Sequence, residues 1–184
     1  MSSGSVPNFS PQISNTNQMS TADYGLQRIV SHLAKTLERD AIVEYTVNQL
    51  RDSLKVDRVV LYYFCRQWEG RVTFEAFSSE QYSIFGSTGP DECFNEEYAA
   101  LYLAGRVRAI ADIEQEPIQA CHRDFLRGMQ VRANLVVPIL TTKGLWGLLA
   151  AHHCQSVRPW SESDIEIMQE RANTLASAPA IQES

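Results

Sequence analysis

Ala133-Asn-Leu-Val-Val-Pro-Ile-Leu140 and Leu145-Trp-Gly-Leu-Leu-Ala-Ala-His-His-Cys154, joined by Thr141-Thr-Lys-Gly144, decide the fold. Both runs are apolar and of strand length. A four-residue connection ending in Gly is a hairpin signal, so they are predicted as the central strands of an antiparallel sheet. Upstream, Arg58-Val-Val-Leu-Tyr-Tyr-Phe-Cys65 is β-branched and aromatic, and Val72, Phe74 and Ala76 alternate with more polar neighbours through Phe77. With Gly70 as the turn, these predict a second hairpin. Val107–Ala111 is predicted as an edge strand.

Helical spacing flanks the strands. Leu26, Ile29, Val30, Leu33 and Leu37 fall on one face, predicting a first helix that ends near Arg39. Ile42, Val43, Val47, Leu50 and Leu54 repeat the pattern up to Lys55 and predict a second. Asn95–Gly105 and Ala120–Met129 are predicted as shorter helices, with Cys121 in the first turn of the latter. Ser161-Glu-Ser-Asp164 is a capping box with Trp160 placed to staple onto Ile165, so a last helix runs to about Ala176. Helix, helix, hairpin, mixed middle, hairpin, helix is an α+β order. Terminal helices can cover one sheet face and leave the other for a ligand.

Composition narrows the class. The chain has 184 residues, 44% hydrophobic and 21% charged, which suits one globular domain. Residues 1–20 are rich in Ser, Asn, Gln and Pro and are expected to be a flexible tail. The domain is expected over residues 21–178, with a short tail at 179–184. A net charge of −6 with scattered basic residues argues against a nucleic-acid surface. No apolar run reaches the ~18 to 20 residues of a membrane helix, and the N-terminus lacks signal-peptide order, so a cytoplasmic protein is expected. Cys65, Cys93, Cys121 and Cys154 form no C-x-x-C pair. A zinc or other metal site is therefore not expected, and in a cytoplasmic setting the four thiols are expected to be reduced.

Two constellations carry candidate chemistry. Cys121-His122 puts a thiol in a helix's first turn beside an imidazole, and both the helix dipole and the His favour the thiolate. A buried Cys beside a chance His fits those two residues as well. Asp91-Glu-Cys93-Phe94 places a second thiol two residues after a carboxylate in a Gly- and Pro-bounded loop, where functional groups commonly sit. Its plainer reading is a turn-forming Asp91 and a core anchor at Phe94.

Taken in order, Asp91-Glu-Cys93-Phe94, Cys121-His122, Val131-Arg-Ala-Asn-Leu-Val-Val-Pro138, Leu145-Trp-Gly-Leu-Leu149 and Ala151-His-His-Cys154 resemble a cyanobacteriochrome GAF domain of the D-x-C-F subgroup, over about Thr21 to Ala178. The resemblance implies a six-stranded antiparallel sheet with the terminal helices on one face and a bilin pocket on the other. It implies a covalent linear tetrapyrrole, phycocyanobilin or phycoviolobilin, held permanently by Cys121. Asp91 would accept pyrrole N–H groups, Cys93 would add reversibly to the central methine bridge, and Phe94, His122 and His152 would stand near the rings. Interrupting conjugation at that bridge moves absorption to the blue, and 15Z/15E isomerisation shifts the balance toward a green, teal or orange state. His152 is expected in the pocket and His153 on the opposite side of its strand. Arg106 or Arg108 is expected to pair with a propionate.

Such domains usually adjoin kinase, cyclase or chemotaxis modules, and none is readable here. A signalling partner or an output region elsewhere is therefore expected, and the domain itself is not expected to be an enzyme. Two other readings stand beside this one. A GAF domain could hold a non-covalent ligand such as a cyclic nucleotide, and a scaffold could form a homodimer through its terminal helices.

Overall fold

The computed structural model describes Met1 and residues 21–66, 69–89 and 96–184. The expected N-terminal tail therefore falls, apart from Met1, outside the described residues. By its contacts the chain divides into two units, residues 1–34 and 35–184. In the first unit, Leu26, Ile29, Val30 and Leu33 are all exposed. The sheet lies wholly in the second unit.

The two helices expected on either side of Arg39 are one, α1 (Thr21–Leu54). No Gly or Pro interrupts residues 37–42. Arg39 donates from Nε and Nη2 to its neighbour Asp40 at 2.9 and 2.8 Å, so the polar pair sits on a continuous helix rather than ending it. The helix stops where Lys55 turns left-handed at φ 51°. Then come β1 (Arg58–Arg66), β2 (Glu69–Phe77), a single 3₁₀ turn (Glu80–Tyr82), α2 (Glu96–Leu103), β3 (Arg108–Ile110), α3 (Ala120–Gly128), β4 (Ala133–Thr141), β5 (Gly144–His153), α4 (Glu162–Ser177) and α5 (Pro179–Gln182).

The sheet has the order β2-β1-β5-β4-β3, and its pairs are antiparallel. Five strands are found among the described residues, where six were expected. After β2 the chain returns only far enough for one isolated bridge, Arg71 to Thr88. Beside it Gly86, at φ 78°, donates its N–H to the Val72 carbonyl, and Val72 donates to the Ser87 carbonyl, both at 2.9 Å. Gly70 does not make the turn assigned to it. It pairs with Phe64 inside the hairpin, where a Cβ would lie 2.6 Å from the carbonyl oxygen of Tyr63. The β4–β5 turn is tighter than expected, because Thr141 pairs with Gly144 and leaves only Thr142 and Lys143 between the strands.

Alternation along the strands builds two different faces. Val59, Leu61, Leu135, Val137, Ile139, Leu149 and Ala151 meet Val43, Val47 and Leu50 of α1 and Met168, Ala172 and Leu175 of α4 in the main core. Burying each such side chain contributes roughly 1.5–3 kcal/mol before the entropy of ordering it. The intervening residues Val60, Val136, Leu148 and Ala150 point to the opposite face and join Val72 and Tyr102 in a smaller cluster. Ile110, Ile113, Leu126 and Val131 form a third cluster that seats α3 beside β3. The capping box at Ser161 and Asp164 is present, and Trp160 donates to the carbonyl of Ile110 at 3.0 Å.

Asp57 gathers one end of the sheet. Its buried carboxylate accepts the backbone N–H of Cys154 at 2.7 Å and the Gln155 amide at 2.6 Å, while its own carbonyl takes the backbone N–H of Ser78 at 2.8 Å. Burial pushes the carboxyl pKa up. The Cys154 and Gln155 hydrogen bonds and the nearby His153 outweigh that and hold it below the ordinary value. A depressed folded-state pKa gives stability that is complete above the unfolded value of about 3.9 and vanishes as pH falls through the folded value. Asp57→Asn should therefore cost roughly 1–3 kcal/mol in urea unfolding at pH 7. The gap to wild type should narrow steadily below about pH 4; a gap independent of pH would show that the charge is not what matters.

Candidate functional site

The sheet face turned away from α1 and α4 floors a cavity. Val60 and Tyr62 of β1, Asn134 and Val136 of β4, and Leu148, Ala150 and His152 of β5 line it. Its walls are Tyr98 and Tyr102 of α2, Arg108 of β3, and His122 and Phe125 of α3. Most of this lining is aliphatic or aromatic, with a few polar groups set into it, the usual make-up of a small-molecule site.

The expected site residues are distributed as follows. Cys121 is exposed in the first turn of α3, and His122 beside it is half-buried in the cavity wall. The His122 ring stacks on Tyr98, with centroids 5.9 Å apart and planes 13° from parallel. Burial lowers its pKa, and the cations Arg108 and Arg106 lower it further, so the imidazole is predominantly neutral at pH 7. His152 lines the cavity, while His153 turns to Asp57, with Nδ1 3.2 Å from its carboxylate. Arg108 lines the cavity and pairs with Glu116 at 2.7 Å. Arg106 lies over the Tyr98 ring at 5.7 Å, one layer behind the lining.

Asp91, Cys93 and Phe94 lie outside the described residues. Gly89, just before them, and Tyr98, in the first turn of α2 after them, both line the cavity. Gly89 is held there by its N–H donating to the Tyr62 hydroxyl at 2.9 Å, and a Cβ at that position would come within 2.6 Å of the same oxygen. The expectation of four reduced thiols needs correcting. Cys65 and Cys154 are free, but Cys121 is disulfide-bonded. Burial pushes the pKa of the free Cys154 thiol up to about 11.

Sequence reasoning passed over Arg58 and Asn134. Arg58 is 0% exposed and donates to His152 Nδ1 from Nε at 3.0 Å and from Nη2 at 2.8 Å. It also donates to the carbonyl oxygens of Tyr82 and, at 3.1 Å, Met129. One buried cation thus ties the pocket histidine to the loop after β2 and to the end of α3. Asn134 is buried, and its Oδ1 has no hydrogen-bond partner among the described residues. The one signal available was a charged pair, Asp57-Arg58, opening an otherwise apolar strand.

A curated relative, an uncharacterized protein of Picosynechococcus sp. (strain ATCC 27264 / PCC 7002 / PR-6), is 47% identical over 154 residues, 84% of this chain and 94% of that protein. The structure is similar to the blue-light absorbing form of the Thermosynechococcus elongatus PixJ GAF domain. The TM-score is 0.75 at 34% identity, over 82% of this chain and 89% of that one. It is also similar to the phycocyanobilin-bound GAF domain from a cyanobacterial phytochrome, with a TM-score of 0.72 at 29% identity, over 89% and 96% of the two chains. Residues 38–178, which carry the sheet, α3 and the cavity lining, match the GAF domain model, and the chain belongs to the GAF domain family.

Proposed function

We propose that this chain is a photoreceptor module of the cyanobacteriochrome type, which holds a linear tetrapyrrole, phycocyanobilin or phycoviolobilin, on Cys121. The observation that carries the reading is the cavity itself. It lies on the sheet face away from α1 and α4, has the Cys121-His122 helix in its wall, and contains a buried acceptor, Asn134 Oδ1, that has no donor among the described residues. A bilin fits this wall chemically. Its flat conjugated rings suit the apolar floor and the aromatic Tyr98, Tyr102 and Phe125, and its ring N–H groups supply the donors that an acceptor such as Asn134 needs. The bilin-bound and blue-absorbing neighbours of the same fold support the same ligand class.

In this reading the residues divide the work. Cys121, once reduced, forms the permanent thioether, and its exposure and place in the first turn of α3 make it accessible to the incoming bilin. His122, neutral and stacked on Tyr98, offers a ring nitrogen without a competing charge. Arg108 or Arg106 takes a propionate, and Arg108 is the one already in the cavity wall. The bound bilin supplies light absorption and a 15Z/15E isomerisation.

The D-x-C-F element adds the second half. Asp91 accepts ring N–H groups. Cys93 would offer the bound bilin a second thiol, and its reversible addition at the central methine bridge would interrupt the conjugation. One state then absorbs in the blue and the other at longer wavelength. The output passes to a signalling partner protein or to an output region of a longer chain. A second copy could pair through the exposed apolar row of α1. A cytoplasmic setting, with reduced thiols, belongs to the same reading.

Two substitutions test this in chain co-expressed with phycocyanobilin synthesis and kept in reductant. Cys121→Ala should abolish covalent attachment, read as loss of zinc-induced fluorescence from the denatured band; a band as bright as wild type would remove Cys121 as the anchor. Cys93→Ala, with Cys93→Ser as the control closer in volume, should keep that fluorescence but lose the blue-absorbing state. A reversible blue state surviving in both would exclude the second thiol.

A further inference from the structure

β5 slips out of its ladder with β4 by one residue, and that residue is Trp146. Ile139 pairs with Gly147 and Leu140 with Leu145, so Trp146 stands between them as a β-bulge. The extra residue reverses the alternation of side chains. Leu148, Ala150 and His152 line the cavity, and an unbroken strand would send Trp146 to the same face and Leu145 to the other. Instead Leu145 packs against the cluster on the cavity face, and Trp146 packs against the main core under α1 and α4.

There the indole meets two groups. Its ring lies edge-on to Tyr63, with centroids 5.1 Å apart, and its Nε1 donates to the Ser184 hydroxyl at 2.8 Å. Ser184 belongs to a segment that folds back after α4. The residue before a proline is driven out of the helical region, and Ala178, ahead of Pro179, is extended at φ −69° and ψ 130°. α5 then seats Ile181 in the main core at 1% exposure. The β4–β5 turn and α1 hold the rest. Thr142 donates to the Gln182 amide oxygen at 2.7 Å, Lys143 donates to the Ser184 carbonyl at 3.0 Å, and Lys35 pairs with Glu183. Lys35 and residues 179–184 lie outside residues 38–178, so this latch is an addition to the part of the chain that matches the GAF domain model.

We propose that the Trp146 bulge couples the cavity to this latch, so that a ligand on the cavity floor holds residues 179–184 docked and an empty cavity lets them release. The ligand used to test the coupling rests on the bilin reading above; the bulge and the latch do not. The connection is short. Leu148, two residues beyond the bulge, lines the cavity, and Tyr63, against which the indole packs, follows Tyr62 of the cavity lining. The bulge also has a discrete alternative. Moving the extra residue one position along β5 turns Trp146 to the cavity face and takes its N–H away from Ser184. An occupied cavity leaves less room for an indole on that face, so the ligand favours the docked arrangement.

Two measurements on the full chain, kept in reductant, decide it. In ligand-free protein, the Trp146 indole N–H resonance, assigned by its loss in Trp146→Phe, should move in Ser184→Ala while the other indole resonances stay in place. An unmoved Trp146 resonance would overturn the latch contact and the proposal with it.

The second measurement uses Cys121→Ala, which leaves phycocyanobilin bound without a covalent bond. Loading should slow amide exchange at Ile181 and Gln182, whose N–H groups both bond to the Ala178 carbonyl at 3.0 Å. Ile181→Asp, added to unseat the segment, should weaken phycocyanobilin binding by the same factor, about fivefold or more, because coupling is reciprocal in binding free energy. If that variant does not fold, Gln182→Ala with Ser184→Ala loosens the surface contacts of the same segment and should move the affinity in the same direction. Exchange that ignores the ligand, or affinity that ignores the latch, would overturn the coupling and leave the bilin reading standing. A wild type that takes up no phycocyanobilin would overturn the bilin reading and the coupling together.

Discussion

A sheet whose strands are apolar on both faces, with terminal helices on one, is the constraint on which the rest depends. In β1, β4 and β5 the residues under α1 and α4 alternate with others nearly as apolar, Val60, Val136, Leu148 and Ala150. Exposing that second face to water would be unfavourable, so something must cover it. In this chain α2, β3 and α3 close over it incompletely, and the remaining space is the cavity. Fold and site are therefore one problem, because the alternation that builds the core also decides which side chains reach a ligand.

Charge is admitted to this face sparingly and under restraint. Arg58 is fully buried, and desolvation lowers its pKa although Glu75 and Asp57 act in the other direction. Its neighbour Asp57 points to the other end of the same network, where backbone and side-chain donors compensate its burial. Adjacent residues of opposite charge thus serve opposite purposes at the start of β1. Asp57 closes the sheet end against Cys154 and Gln155, and Arg58 fixes the ring that faces the cavity. Side-chain alternation along a strand is what separates them.

Much of this was legible because it is local. The apolar runs of β4 and β5, the Ser161–Asp164 capping box and the period-two placing of His152 are written in neighbouring residues. What was missed depends on partners far away. Arg58 reads as an ordinary charge ahead of a strand until β5 brings His152 beside it, 94 positions later. Asn134 reads as one polar residue in an apolar strand until its register with His152 is known. The break expected near Arg39 failed because a change in polarity along a helix is not a helix terminator. The resemblance implied six strands without locating the sixth, and the described residues hold five, with one further bridge, Arg71 to Thr88, at the β2 edge. Asp91, Cys93 and Phe94 carry the subgroup resemblance, and that part of the site rests on sequence alone.

The central claim is that the face of the sheet turned away from α1 and α4 holds a light-switchable bilin. The most direct measurement is a difference absorbance spectrum of the wild-type chain, purified in reductant after co-expression with phycocyanobilin synthesis, under alternating blue and longer-wavelength light. The account predicts a coloured protein with a reversible exchange between a blue band and a longer-wavelength band over repeated cycles. A colourless protein, or a coloured one whose spectrum does not respond to light, would contradict it.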